Sequence, residues 1–122
     1  MRVLTENECR RAMEKGEFEL PEQADVAALI LTQSWCPQWT AMKNYLNDAE
    51  KALPALKIFY IEYDLSPFFE DFMTFKENTY KNREIPYVRY YKEGKCTSTS
   101  NYVSLEGFLH RLDDTEPVPK HC

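Results

Sequence analysis

The chain has 122 residues, of which 43% are hydrophobic and 29% charged, and a net charge of −5. That is the composition of one ordinary globular domain with a real core. The acidic balance, with no Lys/Arg cluster, argues against nucleic acid and anionic membrane surfaces as partners, and no apolar run reaches the length of a membrane span.

The first eight residues lack the apolar stretch of a secretory signal, so the expected setting is a reducing cytoplasm. There Cys9, Cys36, Cys96 and Cys122 read as thiols rather than as a disulfide framework. No two of them have C-x-x-C spacing and only His110 and His121 could assist, so no metal site is expected. No Cys-His-Asn or Ser-His-Asp arrangement supports a hydrolase.

Residues 3–4 form a short edge strand. Thr5 and Glu8 make a capping box for a helix over 6–15, which Gly16 stops. Cys9 and Met13, four apart, face the core. Residues 26–33 are nearly all apolar, the pattern of a central strand buried on both faces. The turn Ser34-Trp35-Cys36-Pro37-Gln38-Trp39 follows, and then an amphipathic helix through residue 53, with Met42, Tyr45, Leu46, Ala49 and Leu53 on one face. Pro54 ends it.

Residues 56–64, rich in Ile, Phe and Tyr, form the next strand. Ser66-Pro67 reads as an N-cap with Pro at the first helical position. The helix beyond it buries some of Phe68, Phe69, Phe72, Met73, Phe75 and Tyr80. Ile85-Pro86 leads into a strand over 87–92, Glu93-Gly94 is a two-residue hairpin turn, and 95–101 returns. Ser104 caps a last helix over 105–112, with Leu105, Phe108, Leu109 and Leu112 on one face. Residues 1–112 thus make one domain, and the polar, proline-containing 113–122 reads as a flexible tail. Helices alternating with the early strands imply parallel crossovers, and the final hairpin adds antiparallel strands. The fold class is α/β: a central mixed sheet of four to five strands with helices on both faces.

Cys36 is the residue with chemistry to offer. It stands at a helix N-terminus, with Pro37 at the first helical position, where a missing N–H costs nothing. Unpaired backbone N–H groups and the positive end of the helix dipole favour a thiolate there, and the thiolate is the nucleophile. The alternative is a small buried cysteine at a helix start.

The order of elements, Trp35-Cys36-Pro37-Gln38-Trp39 at the strand-to-helix turn, and Ile85-Pro86 with Lys92-Glu93-Gly94-Lys95 at the hairpin together resemble thioredoxin over roughly residues 3 to 112. The resemblance implies a thioredoxin-like fold and a cis peptide before Pro86, beside the reactive cysteine. It also implies that the backbone at Ile85 and Pro86 pairs with substrate polypeptide as a short added strand, and that Trp35 walls the site.

Three departures shape the functional expectation. The family's second cysteine falls on Trp39, so self-resolution of a mixed disulfide is lost. The family's buried Asp falls on Ile30. Pro37 directly after the cysteine is closer to glutaredoxin, yet the Gly-Gly-x-Asp stretch that holds glutathione is absent. The expectation is a single-cysteine redox protein: Cys36 as nucleophile, with Trp35, Pro37, Trp39, Ile85 and Pro86 lining the substrate groove. Its partners are proteins with disulfides or oxidised cysteines, and no cofactor is required. Release falls to an outside thiol, glutathione or another small thiol, or to Cys122 as candidate resolving residue. The alternative is a non-catalytic binding module using the same groove; Trp39 either packs under the site or lies exposed as a partner-binding ring, and exposure would favour that module. Iron–sulfur cluster binding shared between subunits is a weaker third, since the glutathione stretch is missing. Arg89, inside a strand expected to be central, needs an acid if buried; Glu62 and Glu84 are the candidates, unless that face is open.

Overall fold

A computed structural model describes residues 1–113. Its elements are β1 (Arg2–Val3), α1 (Glu6–Lys15), β2 (Val26–Thr32), α2 (Pro37–Ala52), β3 (Leu56–Glu62), a 3-10 turn (Tyr63–Leu65), α3 (Phe69–Thr79), β4 (Tyr87–Lys92), β5 (Lys95–Ser100) and α4 (Leu105–Leu112). The five strands form one sheet in the order β1-β3-β2-β4-β5. β1 and β2 run parallel to β3, while β4 is antiparallel to both β2 and β5.

β2 sits at the centre, which is why its sequence is continuously apolar rather than alternating. Ala27, Leu29 and Leu31 point into one core layer, with residues of α1 and α3. Ala28 and Ile30 point into the other, with residues of α2 and α4. The first layer is largely aromatic: Phe18, Phe72, Phe75, Tyr80 and Tyr87 stack in tilted and edge-on pairs 5.1–6.3 Å apart between centroids, the geometry that ring quadrupoles favour.

The local signals explain most element ends. Thr5 Oγ1 accepts from the Glu8 amide, and the Glu8 carboxylate accepts from the Thr5 amide, closing the capping box. Gly16 ends α1 at φ 80°, in the left-handed region that suits glycine. The hairpin turns through Glu93 and Gly94, both at positive φ, as a tight primed turn requires.

One boundary differs from its sequence signal. Ser66-Pro67 does not cap α3: the Ser66 hydroxyl donates back to the Tyr63 carbonyl at 2.7 Å, and the helix begins at Phe69 with Phe68 at its N-cap. The 3-10 turn takes up the chain directly after β3, and burial of Phe68 sets where the helix starts. Leu105 also differs, lying exposed at the start of α4 while Phe108 and Leu112 fill the core. Of the tail, residues 114–122, Cys122 among them, lie outside the described residues.

Candidate functional site

The central strand delivers the chain to the site. β2 ends at Thr32, and Gln33, Ser34 and Trp35 turn it into α2 with Cys36 as the N-cap. The turn is held by Asp64, whose carboxylate accepts from the Ser34 amide at 2.8 Å and from the Ser34 hydroxyl at 2.6 Å. Gln33 links the same turn to Tyr63 and accepts from the Trp35 indole. Asp64 therefore ties the end of β3 to the loop that carries the cysteine, a role its sequence context did not announce.

β4 runs antiparallel to β2, with Leu31 opposite Tyr87. The residues just before β4 are thereby brought to the end of β2 where Cys36 stands. The Ile85–Pro86 peptide bond is cis, and the Cys36 Sγ faces the Ile85 carbonyl oxygen at 3.9 Å. Cys36 carries a free thiol that is 4% exposed. Ile85 is half-buried and touches both core layers.

The other predicted site residues divide. Trp35 is 66% exposed and stands at the rim, and Pro37 is exposed beside the cysteine. Trp39 is not a groove residue. It is 0% exposed, in the same core layer as Cys36, so of the two expectations for this ring it packs under the site and is not a docking ring. Its indole N–H donates to Glu62 at 2.8 Å, and its ring lies 5.6 Å from that of Tyr60. Lys43 joins Glu62 at 3.3 Å. A buried Trp needs a partner for its N–H, and the end of β3 supplies one. The position that would hold a second thiol thus holds a ring packed and hydrogen-bonded inward.

The remaining cysteines sit elsewhere. Cys9 is fully buried on α1 and its thiol is free; burial first, then the carboxylates of Glu8 and Glu6, push its pKa up to about 12. Cys96 lies in the core on β5 and is disulfide-bonded, which corrects its reading as a thiol.

Arg89 is fully buried, and neither Glu62 nor Glu84 is its partner. Glu17, in the connector after α1, receives its Nη2 at 2.6 Å. The Tyr91 and Tyr87 hydroxyls accept from its other nitrogens, and the guanidinium lies 3.9 Å from the Tyr80 ring centroid. This cluster belongs to the α1/α3 layer. It closes that face of the sheet, so the face is not open.

A second buried cation lies closer to the site. Lys76, in the last turn of α3, is fully buried. Its ammonium donates to the Asn82 carbonyl at 2.9 Å, the Glu84 carbonyl at 2.8 Å and the Asn82 side chain at 3.3 Å. Burial lowers its pKa to about 8. No local signal marks it, because a lysine beside Phe72, Phe75 and Tyr80 on a helix is compatible with a solvent-facing side as well as a buried one. Among the described residues no group of three His, Cys, Asp or Glu side chains is placed to hold a metal ion, and no helix is long and apolar enough to cross a membrane.

No family model and no curated protein matches the sequence. Solved structures do match the architecture. Mitochondrial thioredoxin 3 from Saccharomyces cerevisiae superposes with a TM-score of 0.64 at 16% identity, covering 92% of each chain. Thioredoxin O1 from Arabidopsis thaliana gives 0.62 at 14%, over 93% of this chain and 97% of its own. Plasmodium falciparum thioredoxin gives 0.64 at 13%, over 95% and 100%. The fold is thioredoxin-like. At such identities the likeness concerns the fold alone. Within this thioredoxin-like frame, Cys36 occupies the strand-to-helix turn and Pro86 the loop facing it.

Proposed function

We propose that this chain is a thiol redox protein acting through the single nucleophile Cys36. The observation that carries the reading is the approach of the Cys36 Sγ to the Ile85 carbonyl, at a helix start and beside a cis-proline, where the central strand ends. The step is thiol–disulfide exchange. The Cys36 thiolate attacks one sulfur of a protein disulfide, a new S–S bond forms to Cys36, the old one breaks, and the departing sulfur leaves as a thiolate. With an oxidised cysteine in the sulfenic state, the same thiol condenses to the mixed disulfide and water leaves. Backbone groups at Ile85 and Pro86 hold the substrate as an added strand, and Trp35 and Pro37 flank it. Trp39 carries no thiol, so release requires an outside thiol such as glutathione or a second protein thiol; Cys122, the expected candidate within the chain, lies outside the described residues. No cofactor enters the step.

The test is to trap the mixed disulfide. The protein, freshly reduced, is mixed with a cytosolic extract, quenched with acid, alkylated and analysed by peptide mass spectrometry. Disulfide-linked peptides at Cys36 are expected; a Cys36 recovered only as the alkylated thiol would sink the reading.

A second reading, a binding module without turnover, is favoured by one observation: Trp35 presents a large exposed ring at the rim, and aromatic rings anchor interfaces. A partner retained equally by wild type and by Cys36→Ser, and lost on Trp35→Ala, would select it.

A further inference from the structure

Lys76 poses a physical question. Burying an ammonium is costly unless its donors are all met. Here three oxygens meet them, and two are main-chain carbonyls of one short segment, at Asn82 and Glu84. The charged groups that face it are the Glu77 carboxylate of the same helix and the Glu84 carboxylate of the loop, and the Tyr87 ring of β4 lies 5.6 Å from the Nζ. The segment so held runs directly into Ile85 and Pro86. From the opposite side Asn101, just past β5, donates its amide to the Glu84 carbonyl at 3.3 Å, the Pro86 carbonyl at 3.1 Å and the Asn82 side chain at 3.1 Å. The Asn82 amide returns a bond to Asn101 at 3.1 Å. Chain that would otherwise be an ordinary surface loop is therefore clasped at Asn82, Glu84 and Pro86, so that the held carbonyls of Glu84 and Pro86 bracket the Ile85 carbonyl that faces Cys36.

We propose that Lys76 and Asn101 are positioning residues that pre-organise the Ile85–Pro86 backbone as a docking edge for extended polypeptide, giving Cys36 a preference for disulfides within peptides over small disulfides. The proposal rests on the redox reading of Cys36. Its logic is that of preorganisation. A peptide that pairs with the backbone at Ile85 gains only if that backbone already holds its bound geometry. A small aromatic disulfide needs the thiol alone. Lys76 touches neither reactant and works through the loop. Its location in the last turn of α3 adds the favourable end of the helix dipole.

The experiment compares two disulfides on the full chain: 5,5′-dithiobis(2-nitrobenzoate), and a ten-residue peptide whose single cysteine carries the thionitrobenzoate group. Both release the same chromophore when a thiol attacks. A background of Cys9→Ala removes one thiol outside the site, and peptide mapping counts only the chromophore matched by an adduct on Cys36. Wild type is expected to favour the peptide. Lys76→Met should slow the peptide reaction about tenfold and leave the small disulfide within about twofold. Asn101→Ala should shift the ratio the same way by a smaller factor, and it decides the matter if Lys76→Met fails to fold, as judged by its circular dichroism melt. Equal slowing of both reagents, or none of either, overturns the clasp while leaving Cys36 reactive. A wild type that reacts with neither overturns the redox reading itself and the clasp with it.

Discussion

Cys9 and Cys36 are buried almost equally, at 0% and 4% exposure, and both lie near the start of a helix. Their neighbourhoods are opposite. Cys9 sits one turn inside α1, among Glu6 and Glu8, and its sulfur packs into the core layer with Phe18 and Phe72. Cys36 is the N-cap of a helix whose first turn carries no acid, and its sulfur meets the carbonyl of a loop from another strand. Under the proposed function, burial is not what separates a packing thiol from a reactive one; position on the helix, the charges in its first turn and what faces the sulfur do.

The largest expected effect comes from exchanging the sulfurs for oxygen. Cys36→Ser should bring mixed-disulfide formation below detection, while Cys9→Ser should leave it unchanged, both followed by chromophore release and peptide mapping. A Cys9 adduct in the folded protein would break the contrast.

Trp39 tests the floor under Cys36. Trp39→Ala removes a fully buried ring and should cost about 3–5 kcal/mol in denaturant unfolding. Trp39→Phe keeps most of the volume but leaves Glu62 without the indole N–H, and about 1–2 kcal/mol is expected. Equal effects of the two would mean that the hydrogen bond, not the ring, supports the site.

Cys9 predicts smaller changes. Cys9→Ser places a hydroxyl in an apolar layer and should cost roughly 1–3 kcal/mol. Its pH signature has a definite sign. The folded thiol is raised to about 12 from an ordinary 9.0, so its contribution is complete below pH 9 and is lost as the pH climbs toward 12. Lys76 acts in the other direction. Its ammonium is lowered to about 8 from 10.5, the unfolded chain binds the extra proton between those values, and stability gains across that window. Urea unfolding of wild type and Cys9→Ala at a series of pH values from 8 to 10.5 isolates the cysteine: the difference between them should shrink as the pH rises. A constant difference would contradict the assignment.

Much of the frame was readable in the sequence because it rests on short-range physics. The capping box at Thr5 and Glu8, the Gly16 stop, the Glu93-Gly94 turn and the apolar run of β2 each specify their own geometry. The thioredoxin resemblance implied that Cys36 and Pro86 face each other, and the antiparallel pairing of β2 and β4 is what brings their strand ends together. What stayed hidden is tertiary. Trp39 could be a docking ring or a core ring until Glu62 and Tyr60 are seen around it. Arg89 finds its acid in Glu17, 72 residues away along the chain. Lys76 went unnoticed because nothing local announces that two carbonyls of a later loop will turn inward to meet it. The capping signal at Ser66-Pro67 was real chemistry of the wrong kind, since the hydroxyl turned back to Tyr63 instead of forward.

The most direct test of Cys36 as the nucleophile is its competition with Cys9, the other free thiol among the described residues, in the folded protein. Reduced wild type is exposed to a substoichiometric amount of the thionitrobenzoate-activated peptide, quenched in acid, and the adduct mapped by mass spectrometry. The account predicts the peptide on Cys36 and none on Cys9 until the chain is unfolded. A folded protein that carries the adduct on Cys9, or that releases no chromophore while Cys36 remains a free thiol, would contradict it.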